Sequence, residues 1–309
     1  MGGSGSGGAF SDIDRKELLK KLRDSEDATK DAGFETEINN CIGQLQAQYN
    51  DRDTDAVQEH LDEIKSALSE DIDDTVSLLF GGSVAKRTYV DGLSDIDALV
   101  LLGKSELKNM SPEEVKGYFF EKLKERYPKA EMKEGTLAVT IKFPEAEIQL
   151  LPAIKYKTGY RIADVTGKEW SFIRPRKFTE LLTKINQDNG SKVVPTIKLA
   201  KSIISSLPKN RQLTGYHIEA LAVQIFQSYE GPKTPKALLA HFFREAPKAV
   251  LSPLPDITGQ SEHVDSYLGS EKSLNRRTVS DALNLIGRRM QSADNARTVQ
   301  AWKDILGTD

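Results

Sequence analysis

The apolar residues of this chain change their period twice, and that double change restricts the folds open to it. Up to about residue 75 they recur at helical spacing. From 76 to 151 they gather in short runs of strand length, and beyond 170 helical spacing returns. The stretches 11–30, 35–49 and 53–71 read as N-terminal helices, the first with Ser11 as N-cap and Leu18, Leu19 and Leu22 on its apolar face. Runs at 76–80, 96–102, 137–143 and 147–151 read as strands, the last two as a hairpin across Pro144-Glu145-Ala146. A helix over 112–127 opens on SPEE, and further helices are expected over 178–189, 195–207, 216–229, 234–246 and 280–292. This is an α+β pattern: a mixed sheet with helices followed by an all-helical lobe, with a ligand cleft expected between them.

Composition narrows the function classes. With 38% hydrophobic and 29% charged residues and a net charge of −3, the chain is neither a polybasic nucleic-acid coat nor an acidic disordered segment. Its single cysteine, Cys41, excludes an intrachain disulfide framework and a cysteine-rich zinc site, and fits a reducing cytoplasm. The histidines at 60, 217, 241 and 263 form no HExxH pair. No apolar run approaches the ~20 residues of a membrane span, so no membrane partner is expected. Residues 1–8, MGGSGSGG, read as an expression linker.

The chemistry concentrates in GSVAKRTYVDGLSDID, residues 82–97. Gly82 and Ser83 follow the first predicted strand and open a turn or short helix, where backbone N–H groups and a hydroxyl can face a phosphate. Asp95 and Asp97 stand at i and i+2, on one face of an extended chain and about 6–7 Å apart along it. Two such carboxylates can bracket Mg²⁺, which favours carboxylates together with substrate phosphates. A lone pair of this spacing is more often a solvated DGLSD turn. The ordered set of strand, GS, short helix, SDID and buried strand argues for a phosphate cradle beside a metal pair.

Those motifs resemble the DNA polymerase β-like nucleotidyltransferases, and more narrowly the cGAS/DncV-like CD-NTases of bacterial CBASS operons. The resemblance runs from Val76 onward through GGSVAKRT, SDID, EIQLLPA, IKLAKSI and LTGYHIEALA. It implies a linker over 1–10, N-terminal helices over 11–74 packing on the catalytic lobe, a catalytic lobe over 75–170 and a helical lobe over 171–309. It also implies that Gly82 and Ser83 hold the donor triphosphate, that Asp95 and Asp97 bind Mg²⁺ (or Mn²⁺), and that Thr88 closes the turn. Lys201 matches the lysine aimed at the triphosphate, with Lys198 one turn before it, and Tyr216 matches a base-stacking tyrosine. Gln260, Ser261 and His263 are candidates for the acceptor side, or simply a surface loop.

The chain departs from the family pattern twice. Arg87 stands where relatives often have glycine. Gln149 stands where relatives place a third aspartate, and its amide can neither take a proton nor supply charge. Glu147, two residues earlier on the same strand face, is either the replacement acid or an exposed strand residue. The resemblance implies an enzyme that turns nucleoside triphosphates, ATP foremost, into a cyclic or short oligonucleotide second messenger in anti-phage defence. A HORMA-type protein or DNA would activate it, and an effector encoded separately would read the product. The alternatives are a template-independent polymerase or tailing enzyme, an enzyme that transfers nucleotide to protein or tRNA, and a silent nucleotide-binding module.

Overall fold

Two helices come first in the computed structural model, which describes residues 15–49, 54–69, 77–80, 82–90, 96–102, 106–164 and 166–308. Helix α1 (Arg15–Gln48) is continuous where the spacing predicts two. Gly33 does not interrupt it, because one glycine inside a helix costs only about 1 kcal/mol. Phe34, Ile38, Ile42 and Leu45 carry a buried stripe onward from there. That stripe sits in the core of the helical lobe, so α1 departs from the expected packing on the catalytic lobe. Helix α2 (Thr54–Ser69) instead buries Val57, Leu61, Ile64 and Leu68 against the sheet.

Among the described residues the sheet has seven strands: β1 (Ser77–Phe80), β2 (Ile96–Leu101), β3 (Glu131–Glu134), β4 (Val139–Lys142), β5 (Glu147–Tyr156), β6 (Gly159–Ala163) and β7 (Trp170–Ile173). Their order is β1-β2-β5-β4-β3, and β6 and β7 extend it beyond the far end of β5. Among the described residues only β2 and β5 pair in parallel, and helix α4 (Pro112–Arg126) lies in the crossover between them. A capping box of Ser111 and Glu114 starts that helix. The spacing does not predict β3, β6 and β7. Strand β3 is a polar EMKE edge, β6 is interrupted by Arg161, and β7 begins at Trp170, where strands are expected to stop.

Alternation along β2 and β5 decides what faces the cleft. Ile96, Ala98 and Val100, with Ile148 and Leu150, pack into the core shared with α2 and α4. Their period-2 neighbours Leu99, Leu101, Leu151 and Ala153 pack on the other face, so Asp97 and Gln149 belong to that second face. Opposite it stands the helical lobe: α5 (Pro175–Asp188), α6 (Val193–Ser205), α7 (Gly215–Phe226), α8 (Pro235–Ala249), α9 (Leu274–Asn295) and α10 (Val299–Leu306). Phe226, Phe242, Leu283 and Trp302 are buried at its centre. Among the described residues no helix is long and apolar enough to cross a membrane.

Candidate active site

Between β1 and β2 the chain makes one turn of helix, α3 (Gly82–Ala85), and this turn brings Gly82, Ser83, Thr88 and Asp97 together. Gly82 has φ +47°, and a Cβ added there would lie 1.5 Å from Asp97 Oδ2, so the carboxylate rests on the glycine backbone. The Ser83 N–H donates to the same carboxylate. Burial raises the Asp97 carboxyl above its ordinary range, against the opposing pull of the Lys86 ammonium. A half-buried carboxylate whose charge is incompletely balanced favours a cation, so Asp97 fits a divalent metal ligand. Its predicted partner Asp95 lies outside the described residues, and among those described no cluster of three or more His, Cys, Asp or Glu could hold a metal. Gln149 pairs with Asp97 in the parallel register, while Glu147 is exposed at the start of β5, opposite Lys142.

The Thr88 N–H donates to the Ser83 carbonyl at 2.9 Å. Between them Arg87 adopts φ +59°, in the left-handed region that costs an L residue about 1–2 kcal/mol. This gives a physical reason for the glycine that the resemblance leads one to expect there. Arg87→Gly is expected to raise unfolding stability by about 1 kcal/mol, read from thermal melts, with the turn unchanged.

Behind the turn lies a buried ionic cluster that the motifs only partly announce. Glu219 on α7 is 1% exposed and receives the Thr88 hydroxyl and Lys86, both at short range, and Lys201 at 2.8 Å. Burial opposes the charge on Glu219, yet Lys86 and Lys201 together hold its carboxyl below the ordinary range. Lys201 also donates to the Thr88 carbonyl at 2.9 Å. Lys198, one turn earlier on α6, is buried as well. Glu219 was legible in principle, because it is the one formally charged residue in the largely apolar helix GYHIEALAVQIF, and a buried acid requires cations.

In front of the turn is a cavity of about 330 Å³, walled by Leu79, Leu99 and Tyr160 from the sheet, Lys86 from the turn, and Phe178 and Tyr216 from the helical lobe. Lys198 and Lys201 are not among its lining residues. Tyr216 presents its ring to the cavity, edge-on to Phe178 at 5.1 Å between centroids, and its hydroxyl donates to Asp256 at 2.8 Å. Asp256 also accepts from the N–H and hydroxyl groups of Thr258 and Ser261, which commits Ser261 to the turn; of that loop Thr258, not Gln260, Ser261 or His263, reaches the cavity.

Next to Tyr216, His217 is fully buried with Nδ1 2.9 Å from the Tyr267 hydroxyl and Nε2 3.5 Å from Asp265 Oδ2. Arg276 already occupies that oxygen at 2.6 Å. Burial pushes the imidazole down to about 4, with Asp265 opposing and Arg276 assisting. The neutral ring is therefore the form that fits. The unfolded chain takes up this proton first, so the contribution is complete above about pH 6.5 and is lost as pH falls toward 4, worth about 3 kcal/mol at most. Thermal melts across that window are expected to lose this slope in His217→Gln.

Comparison with known proteins agrees with this geometry. Residues 42–186 match the family model described as Second Messenger Oligonucleotide or Dinucleotide Synthetase domain. No curated protein matches the chain in sequence. Among solved structures, CdnC of E. coli MS115-1 with ATP is 16% identical with a TM-score of 0.63, over 82% of this chain and 92% of that one. The Bradyrhizobium diazoefficiens CD-NTase CdnG in complex with GTP is 12% identical with a TM-score of 0.64, over 87% and 97%. The Vibrio cholerae cyclic AMP-GMP synthase DncV, bound to a linear intermediate, is 12% identical with a TM-score of 0.63, over 96% and 90%. At these identities the likeness concerns the fold: a polymerase β-like sheet lobe joined to a helical lobe.

Proposed function

We propose that this chain, whose residues 42–186 match the Second Messenger Oligonucleotide or Dinucleotide Synthetase domain, is a nucleotidyltransferase that joins nucleoside triphosphates into a cyclic or short oligonucleotide second messenger. The observation that carries this reading is the Asp97 carboxylate seated against Gly82 and the Ser83 N–H, where Gly82 itself lines an aromatic-walled cavity. Gly82 and Ser83 would take the donor phosphates, and Tyr216 and Phe178 would wall the base. A ribose hydroxyl then attacks the α-phosphorus, the new ester bond forms, and the bond to the β-phosphate oxygen breaks to release pyrophosphate. Asp97, with Asp95, would hold Mg²⁺, which supplies charge neutralisation of the triphosphate when bound. The chain's own part is positioning and exclusion of water. By analogy with CdnC, which forms a complex with a HORMA protein, a HORMA-type regulator and a role in anti-phage defence belong to the same reading. Release of pyrophosphate from ATP or GTP that requires a divalent cation is the expected result, and no release under any nucleotide pairing contradicts it.

The proton on the attacking hydroxyl needs an acceptor that Gln149 cannot provide. Glu147 shares its strand face, two residues upstream. Glu147→Gln is expected to lower the initial rate by about a hundredfold at every Mg²⁺ concentration, within the range for loss of a general base. Gln149→Ala is expected to cost less. A Glu147→Gln rate equal to wild type would make Glu147 a bystander.

A further inference from the structure

We infer that the cavity in front of the turn takes guanine, read by Glu180 and Arg176 of α5. This rests on the nucleotide reading given above and adds the identity of the base, where the resemblance leads one to expect ATP.

Helix α5 follows β7 directly, and Pro175 opens its first turn. Its register sorts the residues that face the cavity by chemistry. Phe178 is buried with its ring against Tyr216, while Arg176, Thr179 and Glu180 bring polar groups to the cavity wall. The Thr179 hydroxyl is already spent on the Pro175 carbonyl at 3.3 Å, and that of Thr258 on Asp256 at 2.7 Å. Arg176 and Glu180 are not spent. They stand at i and i+4, a spacing at which opposite charges commonly pair, yet among the described residues neither makes an ion pair or a hydrogen bond. Tyr160 on β6 is in the same condition. It is 9% exposed and lines the cavity, but its hydroxyl has no partner among the described residues. A buried tyrosine hydroxyl ordinarily finds a partner, so this one is left for a bound molecule.

The free groups decide among the bases. Leu79, Leu99, Phe178 and Tyr216 give the cavity apolar and aromatic walls that suit a flat ring. Glu180 adds a fork that only accepts, and Arg176 a fork that only donates. Guanine presents two adjacent donors, N1–H and the 2-amino group, and beside them two adjacent acceptors, O6 and N7. A carboxylate takes the first pair and a guanidinium the second, each with both of its arms. The two edges adjoin on the ring, which suits forks whose Cβ atoms are about 5–6 Å apart on one helix face. Adenine, cytosine and uracil each offer the carboxylate a single donor group, so on any of them its fork stays half used.

The probes are the α,β-methylene triphosphates of guanosine, inosine, adenosine and cytidine, each titrated calorimetrically with Mg²⁺ and with a melt recorded for every variant. Inosine keeps O6, N1–H and N7 and lacks only the 2-amino group. Wild-type protein is expected to bind the guanosine analogue at least about tenfold tighter than the other three, the range for a lost hydrogen bond to a charged group. In Glu180→Gln the gap between guanosine and inosine is expected to shrink to within about threefold, because the amide no longer accepts with both arms. Arg176→Met is expected to weaken guanosine and inosine alike by about tenfold, and adenosine by less. Both side chains are exposed, so both variants should melt like wild type. A wild-type protein that binds the adenosine or cytidine analogue as tightly as the guanosine one overturns the choice of base and leaves the nucleotide reading standing. That comparison needs no variant and decides even where a variant unfolds. An undiminished gap between guanosine and inosine in Glu180→Gln overturns the role of Glu180, and wild-type guanosine binding in Arg176→Met overturns that of Arg176. A wild-type protein that binds none of the four overturns the nucleotide reading itself, and the inference falls with it.

Discussion

Asp97→Asn is expected to lower nucleotide turnover by about a thousandfold or more while leaving the fold intact. The amide keeps the shape of the carboxylate that rests on Gly82, and it removes the charge that a divalent cation would need. Burial already works against ionisation of Asp97, so a neutral isostere relieves part of that cost even as it loses the attraction of Lys86. The two effects oppose one another, and thermal melts should move by no more than about 1 kcal/mol of unfolding free energy. Near wild-type turnover in the variant would remove Asp97 from the chemistry.

Gly82→Val is expected to damage both stability and activity. At φ +47° any L residue is strained, and a β-branched one more so. The added Cβ would also lie 1.5 Å from Asp97 Oδ2, so the carboxylate must move off its seat. Strain and overpacking together are expected to cost about 3 kcal/mol, with turnover lost in the protein that remains folded. Denaturant melts read the first effect and pyrophosphate release the second. A variant that melts like wild type would mean that the turn readily rearranges.

How much of this was legible in the sequence depended on whether a residue's partner lay nearby in the chain. The GS turn and the aspartate on the following strand could be read because local spacing fixes strand, turn and strand, and the alternation of β2 then sets which face Asp97 occupies. The division into a sheet lobe and a helical lobe followed from the change in apolar period. What stayed hidden was non-local. The sequence does not show that Glu219, on the next helix, and Thr88, over a hundred residues earlier, take hydrogen bonds from Lys201. Lys86 is an unremarked surface-type residue until the rings of Phe178 and Tyr216 close over it. Helix α1 looked like two pieces because Gly33 breaks the propensity, and the long helix is supported by Phe34 and Ile38 packing into a core contributed by residues near the other end of the chain.

The central claim is that this cleft makes an oligonucleotide from nucleoside triphosphates, and the product tests it most directly. The wild-type chain would be incubated with Mg²⁺ and α-labelled ATP, GTP, CTP and UTP, singly and in pairs, treated with phosphatase, and the label separated by chromatography. A HORMA-type protein and double-stranded DNA would be supplied in parallel reactions as activators. A small phosphatase-resistant product that disappears in Asp97→Asn is the predicted result. Label released wholly as inorganic phosphate in every combination, or a product that persists unchanged in Asp97→Asn, would contradict it.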